Sequence, residues 1–264
     1  ILISVITSFA LIPILLTKKK PPTFKRIKAM TLKDLYESSP FGMVSSFFYG
    51  TIQSALFTLL AVYATSMNFT ILEISIVTFL LAISGAVSQF PIGKISDMYD
   101  RRKVIVIATF GAAIFALLSI LVSRQMYLPD GLATSKTWFY IFLILFSFCS
   151  LPMFSLILAH TNDYIPKEKF VAAGGGMQII FGMGTLIGPF LCSLLMNKFG
   201  TNGFFIHLFI FHIIIGLFGM FRITKRPYKD NPESTFTPLP RNITPLGIEL
   251  DPTTGADISN SEKK

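Results

Sequence analysis

The chain has 264 residues, of which 52% are hydrophobic and only 14% charged, with 27 Phe and a mean hydropathy of +0.63. That is too apolar for a soluble domain with a polar exterior, and it predicts a protein solvated by a bilayer. The formal net charge is +9, yet the basic residues gather in short loops between apolar stretches, which gives a nucleic-acid role no support.

Apolar stretches of about 17–25 residues cross a hydrocarbon core roughly 30 Å thick at ~1.5 Å per residue. Seven such stretches occur, at about 1–17, 41–65, 71–95, 103–122, 138–160, 171–196 and 203–221. The predicted fold is an all-α membrane protein, a polytopic helical bundle of about seven transmembrane helices. The chain opens on Ile1 inside an apolar stretch, without Met, a basic n-region or a small-residue cleavage site, so it reads as a truncated start and not a signal peptide. The first stretch ends at Lys18-Lys19-Lys20-Pro21-Pro22, and a basic linker runs over 18–40. With that linker in the cytoplasm, alternate loops collect the cations: Lys94, Arg101, Arg102 and Lys103, then Lys167 and Lys169, then Arg222, Lys225, Arg226 and Lys229. The opposite side holds Arg124, Lys136 and Lys198. The positive-inside rule then places the C-terminus in the cytoplasm, and a multi-pass protein of the plasma (inner) membrane is expected. Residues 223–264 turn to Pro, Thr, Asn and Asp, a composition with too little apolar area to offset ordering, so a disordered cytoplasmic tail is expected.

The loop between the third and fourth stretches reads Gly93-Lys94-Ile95-Ser96-Asp97-Met98-Tyr99-Asp100-Arg101-Arg102-Lys103. It resembles the signature loop of the major facilitator superfamily, G-x-x-x-D-x-x-G-R-R/K, through Gly93, Asp97, Arg101 and Arg102, and departs from it at Asp100, where many members keep Gly. The resemblance implies that Asp97 contacts the facing half of the carrier at its helix end and that the Arg pair steadies this conformational lock. Asp100 is expected to compete with Asp97 for Arg101. A bland alternative is a positive-inside loop with helix-end charges only.

The resemblance covers most of 1–222 and makes the seven stretches helices 6–12 of a twelve-helix fold. It implies that 1–17 is the last helix of the N-terminal half, that 18–40 links the halves and that 41–222 is the C-terminal six-helix transport domain. About five N-terminal helices are then expected upstream. The segment from Leu151-Pro152-Met153 through His160-Thr161-Asn162-Asp163, with the glycine-rich opening that follows, is similar to a bacterial efflux-type subgroup.

In that family the first helix of each three-helix unit lines the central cavity. On 41–65, Ser46, Tyr49, Gln53 and Phe57 share a face. Gln53 lies mid-span, where an amide needs a partner from another helix, water or substrate. On 138–160, Phe146, Cys149 and Met153 form a stripe with Phe142, Ser150 lies beside it, and Pro152 removes a helical hydrogen bond and supplies a bending point. Packing is the alternative for both sets. Gly184-x-x-x-Gly188-Pro189 places small residues on one helix face, for close packing or gating. His160 and Asp163 lie near a helix end, and His207 and His212, five apart, do not form an i, i+4 metal pair. Cys149 and Cys192 fall on different helices and read as packing residues. No acid lies at mid-bilayer.

No cofactor, metal or catalytic set is expected, since nucleophile-elbow, Walker and zinc-helix motifs are all missing. The function predicted from these features is secondary active transport of a small molecule by alternating access, through ion-coupled efflux or exchange. The partners are then the lipid bilayer, the substrate and protons or another coupling ion. A seven-helix receptor or sensor is the alternative.

Overall fold

The computed structural model describes Phe9, residues 30–125 and residues 132–225. The expected span at 1–17, apart from Phe9, most of the 18–40 linker and nearly all of the 223–264 tail lie outside these residues. The described chain forms α1 (Leu32–Ser38), α2 (Pro40–Ser66), α3 (Ile71–Met98), α4 (Arg101–Gln125), α5 (Leu132–Ser150), α6 (Met153–Asn162), α7 (Phe170–Phe199) and α8 (Gly203–Lys225), with 3-10 turns at Lys167–Lys169 and Gly200–Asn202. No strand occurs among the described residues.

Five helical stretches are long and apolar enough to cross a membrane: Pro40–Ser66, Ile71–Met98, Arg101–Arg124, Ser135–Asn162 and Lys167–Lys225. The last has 59 residues, far beyond the roughly 20 that one crossing needs. It is divided at Gly200, whose φ of 65° lies in the left-handed region that glycine adopts without a Cβ clash. Thus α7 and α8 are separate helices, and the described residues contain six helical stretches of membrane-crossing length.

Local sequence sets the helix starts. Thr70 caps α3: its hydroxyl accepts from the Glu73 N–H at 3.3 Å, and the Glu73 carboxylate accepts from the Thr70 N–H at 2.8 Å. Thr31 and Asp34 form the same capping box on α1, and the Thr31 N–H and hydroxyl hold the Asp34 carboxyl below the usual carboxylate range. Pro40 occupies the first turn of α2, where its missing N–H costs no helical bond.

The core is centred on α2, whose Tyr49, Ile52, Ala55, Leu56 and Tyr63 are fully buried. The close α2–α7 approach depends on glycine. A Cβ on Gly184 would collide with the Phe47 carbonyl oxygen, one on Gly188 with the Thr51 carbonyl oxygen, and one on Gly50 with the Phe181 carbonyl oxygen. In an apolar solvent, such small faces let van der Waals packing hold helices together.

On the other side, α3 packs chiefly on α5. Two hydroxyl bonds cross that contact in opposite directions: Ser84 Oγ donates to the Ile144 carbonyl at 2.7 Å and Ser147 Oγ to the Leu81 carbonyl at 2.6 Å. Lys136 donates to Glu73 at 2.6 Å near the start of both helices. The outer face of α3 presents Leu72, Phe79 and Phe90, more than 60% exposed, a surface suited to acyl chains.

The stretch expected as one helix at 138–160 is interrupted. Leu151 and Pro152 form a turn between α5 and α6, because Pro152 has no N–H to continue the ladder. By contrast, Pro91 and Pro189 sit inside α3 and α7, which continue past them.

Candidate functional site: a charged node and the helix break

Arg101 opens α4 and is only 5% exposed. Its Nη2 donates to Asp97 Oδ1 at 2.7 Å and its Nη1 to Asp163 Oδ1 at 2.8 Å. Asp97 lies in the last turn of α3 and Asp163 caps the C-terminus of α6, so one guanidinium ties three helix ends together. A buried arginine persists only where carboxylates and hydrogen bonds replace its hydration. Gly93, one turn before Asp97, is buried on α3, and its carbonyl accepts from Ser96 Oγ at 2.7 Å.

The competition expected between Asp100 and Asp97 for Arg101 does not occur. Asp100 binds Arg102 instead, with Nε–Oδ1 at 3.0 Å and Nη2–Oδ2 at 2.9 Å, and Oδ1 also accepts the Arg102 N–H at 3.0 Å. The reason is helical geometry. Asp100 stands at the N-cap of α4, where a carboxylate reaches the second helical residue, while side chains of consecutive residues leave a helix about 100° apart. Arg101 and Arg102 therefore point to different acids. The residue at the family's glycine position thus caps α4 and neutralises Arg102.

Asp163 is the member of this node that its sequence position did not reveal. Its neighbour His160 takes no part in the pair and packs edge-on against Phe41 and Tyr164, both at 5.2 Å between ring centroids. The signal available was an acid at the same end of the bundle as the signature loop.

The cavity candidates divide into two groups. Most are packed inside the described bundle. Ser46 Oγ donates to the Met177 carbonyl at 3.2 Å, and Tyr49 Oη to the Leu151 carbonyl at 3.3 Å. Ser150 Oγ lies 3.0 Å from His212 Nε2, whose Nδ1 lies 2.7 Å from the Leu208 carbonyl. Since a carbonyl only accepts, Nδ1 carries the proton and Nε2 accepts from Ser150. Phe146 meets the His212 ring edge-on at 5.4 Å, and Met153 Sδ lies 3.8 Å from the Thr109 hydroxyl. His207, likewise buried, donates from Nε2 to the Thr51 carbonyl at 3.2 Å. Cys149 and Phe57 are half-buried, and Cys149 and Cys192 are free thiols on separate helices.

Gln53 differs. It is 6% exposed on α2, and its amide makes no hydrogen bond among the described residues. Gly184 and Gly188 are packing positions against α2, as described, whereas Pro152 marks the helix break.

These features define a polytopic α-helical membrane protein whose loop after α3 closes on a buried ionic node. The chain matches the Major Facilitator Superfamily over residues 2–253 and belongs to that superfamily of transporters. It is similar to the uncharacterised MFS-type transporter YfkF of Bacillus subtilis, 26% identical over 183 residues, which cover 66% of this chain and 43% of the relative. An uncharacterised MFS-type transporter of Yersinia enterocolitica is 25% identical over 64% of the chain and 41% of its own length. The uncharacterised MFS-type transporter YcaD of Escherichia fergusonii is 22% identical over 60% of the chain and 37% of its own length. The aligned part thus spans less than half of each of these relatives. No solved structure matches the chain. Family membership favours the transporter reading over the seven-helix receptor.

Proposed function

We propose that the protein moves a small molecule across the plasma (inner) membrane by alternating access, as a secondary transporter of the efflux or exchange type coupled to protons or another ion. In this reading 41–222 is the C-terminal six-helix domain, its basic end faces the cytoplasm, and 1–17 belongs to the other half. The carrying observation is the Arg101 node, in which the signature loop is bound to the end of α6 through Asp163 and not to its own helix alone. A lock of this kind favours one conformer, and substrate shifts the balance only through a difference in its affinity for the two states.

Gln53 is the foremost candidate for substrate contact. It is 6% exposed and its side chain makes no hydrogen bond among the described residues, and a substrate polar group in the cavity would supply a partner. Flux of candidate compounds into proteoliposomes holding the full-length protein, with and without a pH gradient, tests the proposal. Saturable flux that the gradient drives supports it, and gradient-independent leakage equal to that of empty vesicles rejects it.

A further inference from the structure

At the same end of the bundle as the ionic node lies a small pocket, partly open to solvent, where α2 and α4 begin and α8 ends. Its walls include Ser39, Phe41, Arg102, His160, Tyr164 and Arg222, and no carboxylate lines it. Arg102 is already neutralised by Asp100. Arg222, half-buried in the last turn of α8, makes no ion pair among the described residues.

Two polar side chains in these walls lack what burial normally demands. Ser39, the N-cap residue of α2, is 2% exposed, yet its Oγ caps nothing and has no hydrogen-bond partner. His160 is 3% exposed and makes ring contacts but no hydrogen bond among the described residues. Buried polar groups are nearly always satisfied, so each orphan needs an explanation such as an absent ligand. Beside Ser39, the 27-residue helix α2 begins at Pro40, which has no N–H, so this helix end attracts negative charge through its dipole and the N–H groups that follow the proline.

We propose that this pocket binds a phosphate group. A hydroxyl, an imidazole, an unpaired guanidinium and a helix N-terminus converge there, all able to donate, and a tetrahedral oxyanion offers acceptor oxygens in several directions at once. Arginine is the side chain best matched to such an anion. Two sources supply this chemistry at a basic membrane face: the headgroup of an anionic phospholipid, or a soluble phosphate. Basic pockets between transmembrane helices are established sites for anionic headgroups. The inference does not depend on which molecule the protein transports.

The test uses the full-length protein in neutral detergent and phosphate-free buffer. Its melting temperature is followed during titration with inorganic phosphate, with dioctanoyl phosphatidylglycerol and with dioctanoylglycerol, since a ligand that binds only the folded state raises that temperature. A saturable rise with phosphatidylglycerol but not inorganic phosphate assigns the site to lipid, and a rise with both assigns it to the phosphate group itself. Dioctanoylglycerol gives no rise. Arg222→Gln weakens the response about tenfold in apparent affinity, the value of one charged hydrogen bond. Lys94→Gln, which removes an equal charge from the exposed side of α3, leaves it unchanged. Ser39→Ala provides a second variant should Arg222→Gln not fold. A flat response to both phosphate probes overturns the proposal, as does an equal loss in the Arg222 and Lys94 variants.

Discussion

Arg101 and Asp163, 62 residues apart in the chain, meet at 2.8 Å with side chains only 6% and 10% exposed. Removing one member of such a pair strands the other in a poorly solvated place, at a cost of about 3–5 kcal/mol for a wholly buried pair. Arg101 keeps Asp97, which is one-third exposed, so Asp163→Ala is expected near the lower end, at ~3 kcal/mol. Thermal melting of the purified variant reads the effect. An unchanged midpoint would show that solvent already screens the pair.

Asp97→Asn and Arg101→Ala in the full-length carrier are expected to lower transport while membrane insertion continues, because both residues sit at the end of a span. Flux in proteoliposomes, beside the amount of protein recovered from membranes, separates the two effects. Near-normal flux in both variants would leave the loop as a topology signal alone.

The glycines of α7 offer an internal contrast. Gly184→Ala and Gly188→Ala drive a methyl group into the α2 backbone and are expected to cost several times the ~1 kcal/mol scale of helix propensity. Gly182 has nothing within 4 Å of an added Cβ, so Gly182→Ala is expected to stabilise by up to roughly 1 kcal/mol. Comparable losses at all three positions, measured as melting midpoints, would remove the close-packing account.

Gln53→Leu separates recognition from architecture. An amide that waits for substrate gives a variant of equal or higher melting temperature with weakened or altered substrate competition. An amide with a structural partner elsewhere in the full-length protein gives a lower melting temperature and unchanged selectivity. Both measurements on one preparation decide between them.

Tyr49→Phe removes the bond to the Leu151 carbonyl beside the α5–α6 break. The expected loss is about 1 kcal/mol, typical of one hydrogen bond, with a larger change in transport rate than in apparent substrate affinity if the break acts as a hinge. Equal rates in both proteins would confine Tyr49 to packing.

The spans between residues 41 and 221 were legible in the sequence because hydrocarbon imposes their length and apolarity residue by residue, and every backbone group must then be satisfied within a helix. The structure adds local boundary chemistry that was not singled out along the chain: Thr70 with Glu73, Pro40, and Gly200 each act through neighbours a few positions away. The family signature at Gly93, Asp97, Arg101 and Arg102 was equally local. A class of protein could therefore be named before any helix was placed against another.

Partner choice was not local, and only the tertiary structure decided it. Asp163 reaches Arg101 because α6 ends beside the start of α4, a proximity that neither segment encodes by itself. Asp100 takes Arg102 because capping fixes its carboxylate over α4. Ser46, Tyr49 and Ser150 follow the spacing of a cavity face but find carbonyl or imidazole partners within the bundle, whereas Gln53, on the same helix as Ser46 and Tyr49, finds none. A helical period says which residues share a face, while the neighbour that face meets depends on six helices packing at once. Solvation is thus written along the chain, and the pairing of polar groups arises from contacts between its distant parts.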